Sequence, residues 1–222
     1  MSSASRFIRL VLAEYGFPVE EVEEQPWEMR KAFVALNPAA TLPVLVDDNK
    51  HVLCGASVIS EFLDETAGVL KREKRLLAED PFQRAEIRRL TEWFLVKMES
   101  DVTRPLVRER IFKLQMPPTL GGGAPDSKIL RIARGNIRQH LKYISWLAST
   151  RTYLAGSRLS YADLAAAAAL SELDYLGEIT WGDAPQARDW YQRIKSRPSF
   201  RPLLAERVRG VTPVSHYADL DF

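Results

Sequence analysis

The sequence predicts a small α/β domain followed by an all-α domain, and three observations carry that reading. Element types alternate over the first 69 residues, no convincing strand follows Pro81, and a charged segment from Leu70 to Asp80 separates the two parts. The expected organisation is therefore an α/β domain over 1–69, a linker over 70–80, a helical domain over 81–208 and a tail over 209–222. A chain of 222 residues buries roughly 70% of its unfolded surface, so it needs no metal or disulfide to hold its core.

In the first part, Ser5 to Tyr15 places Phe7, Ile8, Val11 and Leu12 on one helical face, and Gly16 ends the helix. Pro18 to Glu23 reads as a short extended run. Trp27 to Leu36 is helical again, with Trp27, Phe33 and Leu36 facing inward. Thr41 to Val46 is a strand, Asp47-Asp48-Asn49-Lys50 a hairpin turn, and His51 to Cys54 the return strand. Ala56 to Thr66 is an amphipathic helix through Val58, Ile59, Phe62 and Leu63, followed by Gly68.

Phe82 to Leu114 is one long helical pattern, and Pro105 predicts a kink in it, because proline costs about 3 kcal/mol in a helix interior. The prolines and glycines between Pro117 and Pro125 mark a loop. Ser127 to Ser149, Tyr161 to Tyr175 and Ala184 to Ser196 are three further helices.

Composition excludes several classes of function. The 31 Lys and Arg nearly balance 29 Asp and Glu, and a net charge of +2 does not describe a general nucleic-acid binder. Cys54 is the sole cysteine, so neither an internal disulfide nor a multi-cysteine zinc site is available. His51, His140 and His216 show no metal-ligand spacing, and no metal is expected. No apolar run approaches the roughly 18 residues of a membrane span, and the start does not read as a signal peptide. The expectation is a reduced, cytoplasmic protein with no membrane insertion.

Three motifs carry a resemblance. Asn37-Pro38-Ala39-Ala40-Thr41-Leu42-Pro43-Val44-Leu45 resembles the loop before the third strand in the glutathione transferase family. Ser160-Tyr161-Ala162-Asp163-Leu164, preceded by Leu154-Ala155-Gly156, is similar to that family's N-terminal box of the central helix. Here Ser160 and Asp163 form a capping box that folds the helix and does no chemistry. Trp190-Tyr191 to Arg197-Pro198-Ser199-Phe200 is similar to the family's penultimate helix and its stop. The resemblance implies a glutathione-transferase fold, thioredoxin-like first and a helical bundle second. A thioredoxin-like unit needs a strand before its first helix, and Met1 stands almost at that helix. The expectation is thus a chain that lacks one strand at its start.

The resemblance also implies a glutathione site, and the residues present fit it poorly. Serine-using members carry the thiol-activating serine near the start of the first helix, where Ser2 stands here, although helix capping is the favoured role for these serines. Leu42 and Pro43 match the backbone-pairing loop, the proline there being typically cis. After the fourth strand the family has an acidic or amide residue followed by serine to hold the γ-glutamyl end. Here those places hold Gly55 and Ala56, which offer no side-chain hydrogen bond. The set Ser2, Leu42, Pro43, Gly55 and Ala56 reads as vestigial, and glutathione is a ligand only if the enzyme reading holds.

Two features point to partners. Lys128, Arg131, Arg134, Arg138 and Lys142 form a basic stripe on one helix. It either pairs with Glu92, Glu99, Asp101 and Glu109 of the preceding helix or faces an acidic partner. The ending His216-Tyr217-Ala218-Asp219-Leu220-Asp221-Phe222 resembles the FtsZ-binding glutathione-transferase homologues of alphaproteobacterial cell division. That resemblance implies a non-catalytic homodimer, with the helices at 82–114 and 127–149 near its interface. It would be recruited to the division site, bind FtsZ filaments and promote constriction. The tail, through His216, Tyr217, Asp219, Leu220, Asp221 and Phe222, would engage other division proteins and separate from the fold after Gly210. The alternative is a glutathione transferase or peroxidase acting on an electrophile, with Ser2 activating the thiol.

Overall fold

The Ser2 hydroxyl accepts a hydrogen bond from the Ser5 N–H at 3.3 Å and so opens α1 (Ser3–Glu14). In the computed structural model, which describes residues 1–220, this helix lies between α3 (Ala56–Leu63) and α8 (Tyr161–Tyr175). That sandwiched position explains why Phe7, Ile8, Leu10, Val11 and Leu12 are all buried. Gly16, at φ +74°, turns the chain out of α1.

The next segments depart from the expected pattern. Among the described residues Pro18–Glu23 pairs with no strand. The helix read over 27–36 is broken in two: a 3₁₀ turn, Pro26–Glu28, precedes α2 (Lys31–Leu36), and left-handed Met29 at φ +49° separates them. Phe33 is buried and Trp27 packs on Phe112 with ring centroids 4.9 Å apart, but Leu36 is 42% exposed. Trp27 stands in the separate turn, and Leu36 is the last residue of the six-residue helix.

β1 (Val44–Val46) and β2 (Val52–Cys54) form an antiparallel hairpin, with Leu45 opposite Leu53. Its turn is held by Asp47, whose carboxylate takes the His51 N–H at 2.7 Å and the His51 ring nitrogen at 2.8 Å. In α3, Ile59 and Leu63 reach the core while Val58 is 52% exposed, so the inward face is narrower than its apolar pattern suggests.

The seam between the domains is polar as well as apolar. Arg75 grips Asp64 with two bonds, at 3.0 and 2.7 Å. The Leu76 N–H donates to Tyr15 Oη at 3.3 Å, and Tyr161 Oη donates to the Ser60 carbonyl at 3.0 Å.

The long helix comprises α4 (Pro81–Glu92), wide π-type turns at Trp93–Lys97 and Glu99–Thr103, α5 (Arg104–Val107), a third such turn at Arg108–Phe112, and α6 (Lys113–Gln115). Pro105 does not end it. The proline sits at the start of α5 directly after a wide turn, where the i→i−4 ladder it would break is already displaced. α7 (Ser127–Thr150) follows, capped by Asp126, whose carboxylate accepts from Lys128 N–H at 2.8 Å.

α8 is the axis of the second domain, and every residue of it is buried. Its run Ala165–Ala169 keeps the surface thin enough for α1 and α4 to pack closely against it. α9 (Pro185–Lys195) and α10 (Arg201–Ala205) close the bundle.

The tail does not leave the fold after Gly210. Instead Gly210, at φ +78°, reverses the chain so that Val211 bridges back to Val208. Val214 N–H then donates to the Tyr175 carbonyl at 3.2 Å, and Tyr175 Oη donates to the Val211 carbonyl at 2.8 Å. Tyr217 enters the core at 1% exposure, edge-on to Tyr175 with centroids 5.0 Å apart.

Candidate functional site

A cavity of about 510 Å³ opens between the domains. Ser2 and Ser3 from the start of α1, Trp27, Leu42, Arg104 and Glu172 are among the residues that line it. The Leu42–Pro43 peptide is cis. The Pro43 carbonyl accepts from the Gly55 N–H at 2.9 Å, which fixes the loop against the end of β2. Gly55 itself stands at φ +90°, a conformation that strains any side chain, and it begins α3 with no side-chain cap.

The sequence-derived glutathione set is therefore divided. Ser2 and Leu42 face the cavity, while Pro43, Gly55 and Ala56 lie outside its lining. Gly55 and Ala56 bring no acceptor or donor beyond their backbone. The Ser2 hydroxyl caps α1 by accepting from the Ser5 N–H, and Arg104 and Arg108 line the same cavity. That hydrogen bond is a capping one.

What the cavity does contain is an acid that sequence reasoning missed. Glu172 Oε2 accepts from the Ser3 hydroxyl at 2.9 Å, and Ser3 Oγ lies 3.2 Å from Thr103 Oγ1. Its other oxygen, Oε1, is buried without a protein partner. Burial pushes the Glu172 carboxyl up to about 7, with Arg6 working in the opposite direction. The signal was present: Glu172 and Asp174 are two acids inside the apolar run of α8.

Both α8 acids and the acid of its capping box hold networks. Asp163 accepts from Leu154 N–H at 2.8 Å, Ser160 N–H at 3.0 Å, Ser160 Oγ at 2.9 Å and Trp190 Nε1 at 3.0 Å. The capping box is thus formed and extended into a hub. Asp174 pairs with Lys195 at 3.1 Å, both fully buried, and also accepts from Trp181 Nε1 at 3.1 Å. The Lys195 ammonium lies over the Tyr191 and Tyr217 rings at 5.7 and 5.6 Å.

The tail residues divide between fold and surface. His216 contacts Asp174 at 3.4 Å. Tyr217, expected to meet a partner, is a core residue: its hydroxyl donates to the Leu203 carbonyl at 3.0 Å and accepts from Arg6 at 3.2 Å. The physical reason is that Arg6 is itself buried in α1 and needs acceptors, which Tyr217, Ser171 and Glu206 provide. Asp219 and Leu220 are exposed. Asp221 and Phe222 lie outside the described residues.

All five cations of the basic stripe are exposed. Only Arg134 has a carboxylate partner among the described residues, and it is Glu178, not an acid of the preceding helix. Glu99 is held by Arg104, Asp101 by Lys97 and His140, and Glu109 by Lys113 and the Asp126 N–H. Among the described residues no cluster of potential metal ligands forms, and no helix is long and apolar enough to cross a membrane.

The family model for the glutathione S-transferase N-terminal domain matches residues 1–66, and that for the glutathione S-transferase C-terminal domain matches residues 97–198. The chain belongs to the glutathione transferase family. Within this family it is 45% identical to FtsZ-localized protein A of Caulobacter vibrioides, over all of this chain and 95% of that one. The crystal structure of a glutathione S-transferase from Sinorhizobium meliloti superposes with a TM-score of 0.98 at 76% identity, covering 100% of this chain and 96% of that one. The structure of FzlA from C. crescentus superposes with a TM-score of 0.91 at 43% identity, with the same coverage of both chains. The glutathione-transferase fold, with its thioredoxin-like and helical parts, is thus established for this chain. Its first sheet has two strands among the described residues.

Proposed function

We propose that this glutathione-transferase homologue is a non-catalytic cell-division protein that binds FtsZ filaments and promotes constriction. The observation that carries this reading is 45% identity, over the whole chain, to a protein named for its localisation with FtsZ. The glutathione loop supports it from the other side. Gly55 and Ala56 supply no side-chain bond to a γ-glutamyl group, and Ser2 is committed to capping. Fold alone would not separate scaffold from enzyme, so the argument rests on these residues.

The body of the molecule is the filament-binding part in this reading. The tip of the tail, with exposed Asp219 and Leu220, engages other division proteins, and Tyr217 holds the tip in place. Phe82, Val96 and Trp146 are more than half exposed on α4, the turn after it and α7, and they offer an apolar surface to a second copy. A homodimer would present each filament-binding surface twice and gain avidity from that.

Co-sedimentation with assembled FtsZ is the test. The chain should pellet with filaments and stay in the supernatant when FtsZ is unassembled. Equal partitioning with and without filaments would overturn the proposal.

A further inference from the structure

A groove of about 750 Å³ runs between α7 and the turn that joins α8 to α9. Arg134, Arg138 and Lys142 form its α7 wall and Arg110 stands at its edge, while Leu176 and Val214 give it an apolar floor. Glu178 lies at the bottom, 3% exposed, and is already satisfied by charge-assisted bonds from Arg110 and Arg134, the latter at 2.7 and 2.9 Å. It therefore neutralises those two arginines and none of the others.

Arg138 and Lys142 keep their charge uncompensated, as do Lys128 and Arg131 farther along the same helix face. All four are exposed and have no carboxylate partner among the described residues. Asp183 is the exposed acid among the groove's lining residues. Of these four, Arg138 and Lys142 line the groove against one exposed acid, which makes it an electropositive channel on a chain whose overall charge is almost balanced.

The shape narrows the occupant. From Lys128 to Lys142 the stripe extends about 21 Å along α7, the span of six or seven residues in an extended chain. A walled groove with an apolar floor admits one such chain, whereas a duplex or a membrane surface would meet only its rim. We propose that this groove is a docking surface for an extended acidic segment of a partner protein. The segment's carboxylates meet Arg138 and Lys142 in the groove and Arg131 two turns farther along α7, and its apolar side chains rest on Leu176 and Val214. The inference does not depend on filament binding, and it assigns a role to the stripe that intramolecular pairing leaves unused.

The experiment is fluorescence anisotropy on the full chain with a labelled peptide of sequence Glu-Asp-Leu-Asp-Phe-Glu-Asp. Binding should be saturable and weaken as salt screens it. Arg138→Glu combined with Lys142→Glu should reduce affinity at least tenfold with an unchanged melting temperature, because neither side chain contributes to packing. Asp183→Lys should act in the opposite direction and tighten binding. A peptide with lysine at every acidic position should not bind. The proposal fails if the acidic peptide does not bind, or if the double variant binds it as well as the parent does. It fails equally if duplex DNA or phosphatidylglycerol vesicles bind the same residues more tightly than the peptide.

Discussion

Deleting residues 211–222 is expected to lower the melting temperature by about 10 °C or more. The segment is a clasp built into the second domain. Tyr217 fills a place in the core against Tyr175, and loss of a buried aromatic ring costs about 3–5 kcal/mol. Deletion also removes acceptors: Tyr175 Oη loses the Val211 carbonyl, and buried Arg6 loses Tyr217 Oη. Each kcal/mol corresponds to roughly 2–4 °C in a protein of this size. Point variants separate the contributions. Tyr217→Ala should reproduce most of the fall, and Tyr217→Phe, which keeps the ring and loses only the hydroxyl contacts, a small part of it. Asp219→Lys, at an exposed position, should leave melting unchanged. Calorimetry that shows no change on deletion would mean the tail is not part of the fold.

Asp163→Ala is expected to be nearly as damaging, although its side chain is small and touches no ligand. Three donors converge on that carboxylate from main chain and indole: Leu154 N–H, Ser160 N–H and Trp190 Nε1. All are buried, and each orphaned donor costs about 1–3 kcal/mol. The combined loss is on the order of 3–9 kcal/mol, a large part of the stability of any domain. Asp163→Asn retains one carbonyl acceptor but turns an NH₂ toward donors, so it should fall between the alanine variant and the parent. Urea unfolding gives the comparison directly. An alanine variant with the parent's midpoint would show that the hub does not hold α8 and α9 together.

Much of this architecture was legible because it rests on local rules. The hairpin follows from its turn residues, and α8 begins where its capping box places it. The start of α9 and the loop after the long helix are likewise marked by prolines and glycines. Sequence and structure differ where a side chain's surroundings are decided by distant parts of the chain. Val58 carries an apolar side chain at helical spacing yet faces solvent, because α3 packs on α1 through Ile59 and Leu63. Arg6 gave no hint of burial, and so the need of its guanidinium for Tyr217 could not be foreseen. The sequence suggests a free tail because the segment is short, polar in part and broken by Gly210 and Pro213. Its cohesion comes from Tyr175, some forty residues earlier, whose carbonyl and hydroxyl take up the segment's main chain.

The candidate site was legible in a different sense: the residues it lacks were easier to read than the ones it has. Gly55 and Ala56 carry no side chain that could bond a γ-glutamyl group, and α3 starts with no side-chain cap. Glu172, buried at the cavity wall with one oxygen unpaired, sits in an alanine-rich helix whose pattern points only to packing. An acid in an apolar helix interior is the pattern to look for, since its desolvation must be compensated by something.

The chain keeps the glutathione-transferase fold, and in the reading proposed here Gly55 and Ala56 deprive it of the means to hold glutathione. Loss of two charge-assisted bonds, each worth about 1.5–3 kcal/mol, weakens binding by roughly two to four orders of magnitude. Isothermal titration calorimetry of the purified chain with reduced glutathione measures this directly, beside a glutathione-conjugating transferase as reference. No saturable heat is expected at millimolar ligand. Stoichiometric, saturable binding with the reference enzyme's affinity would contradict it.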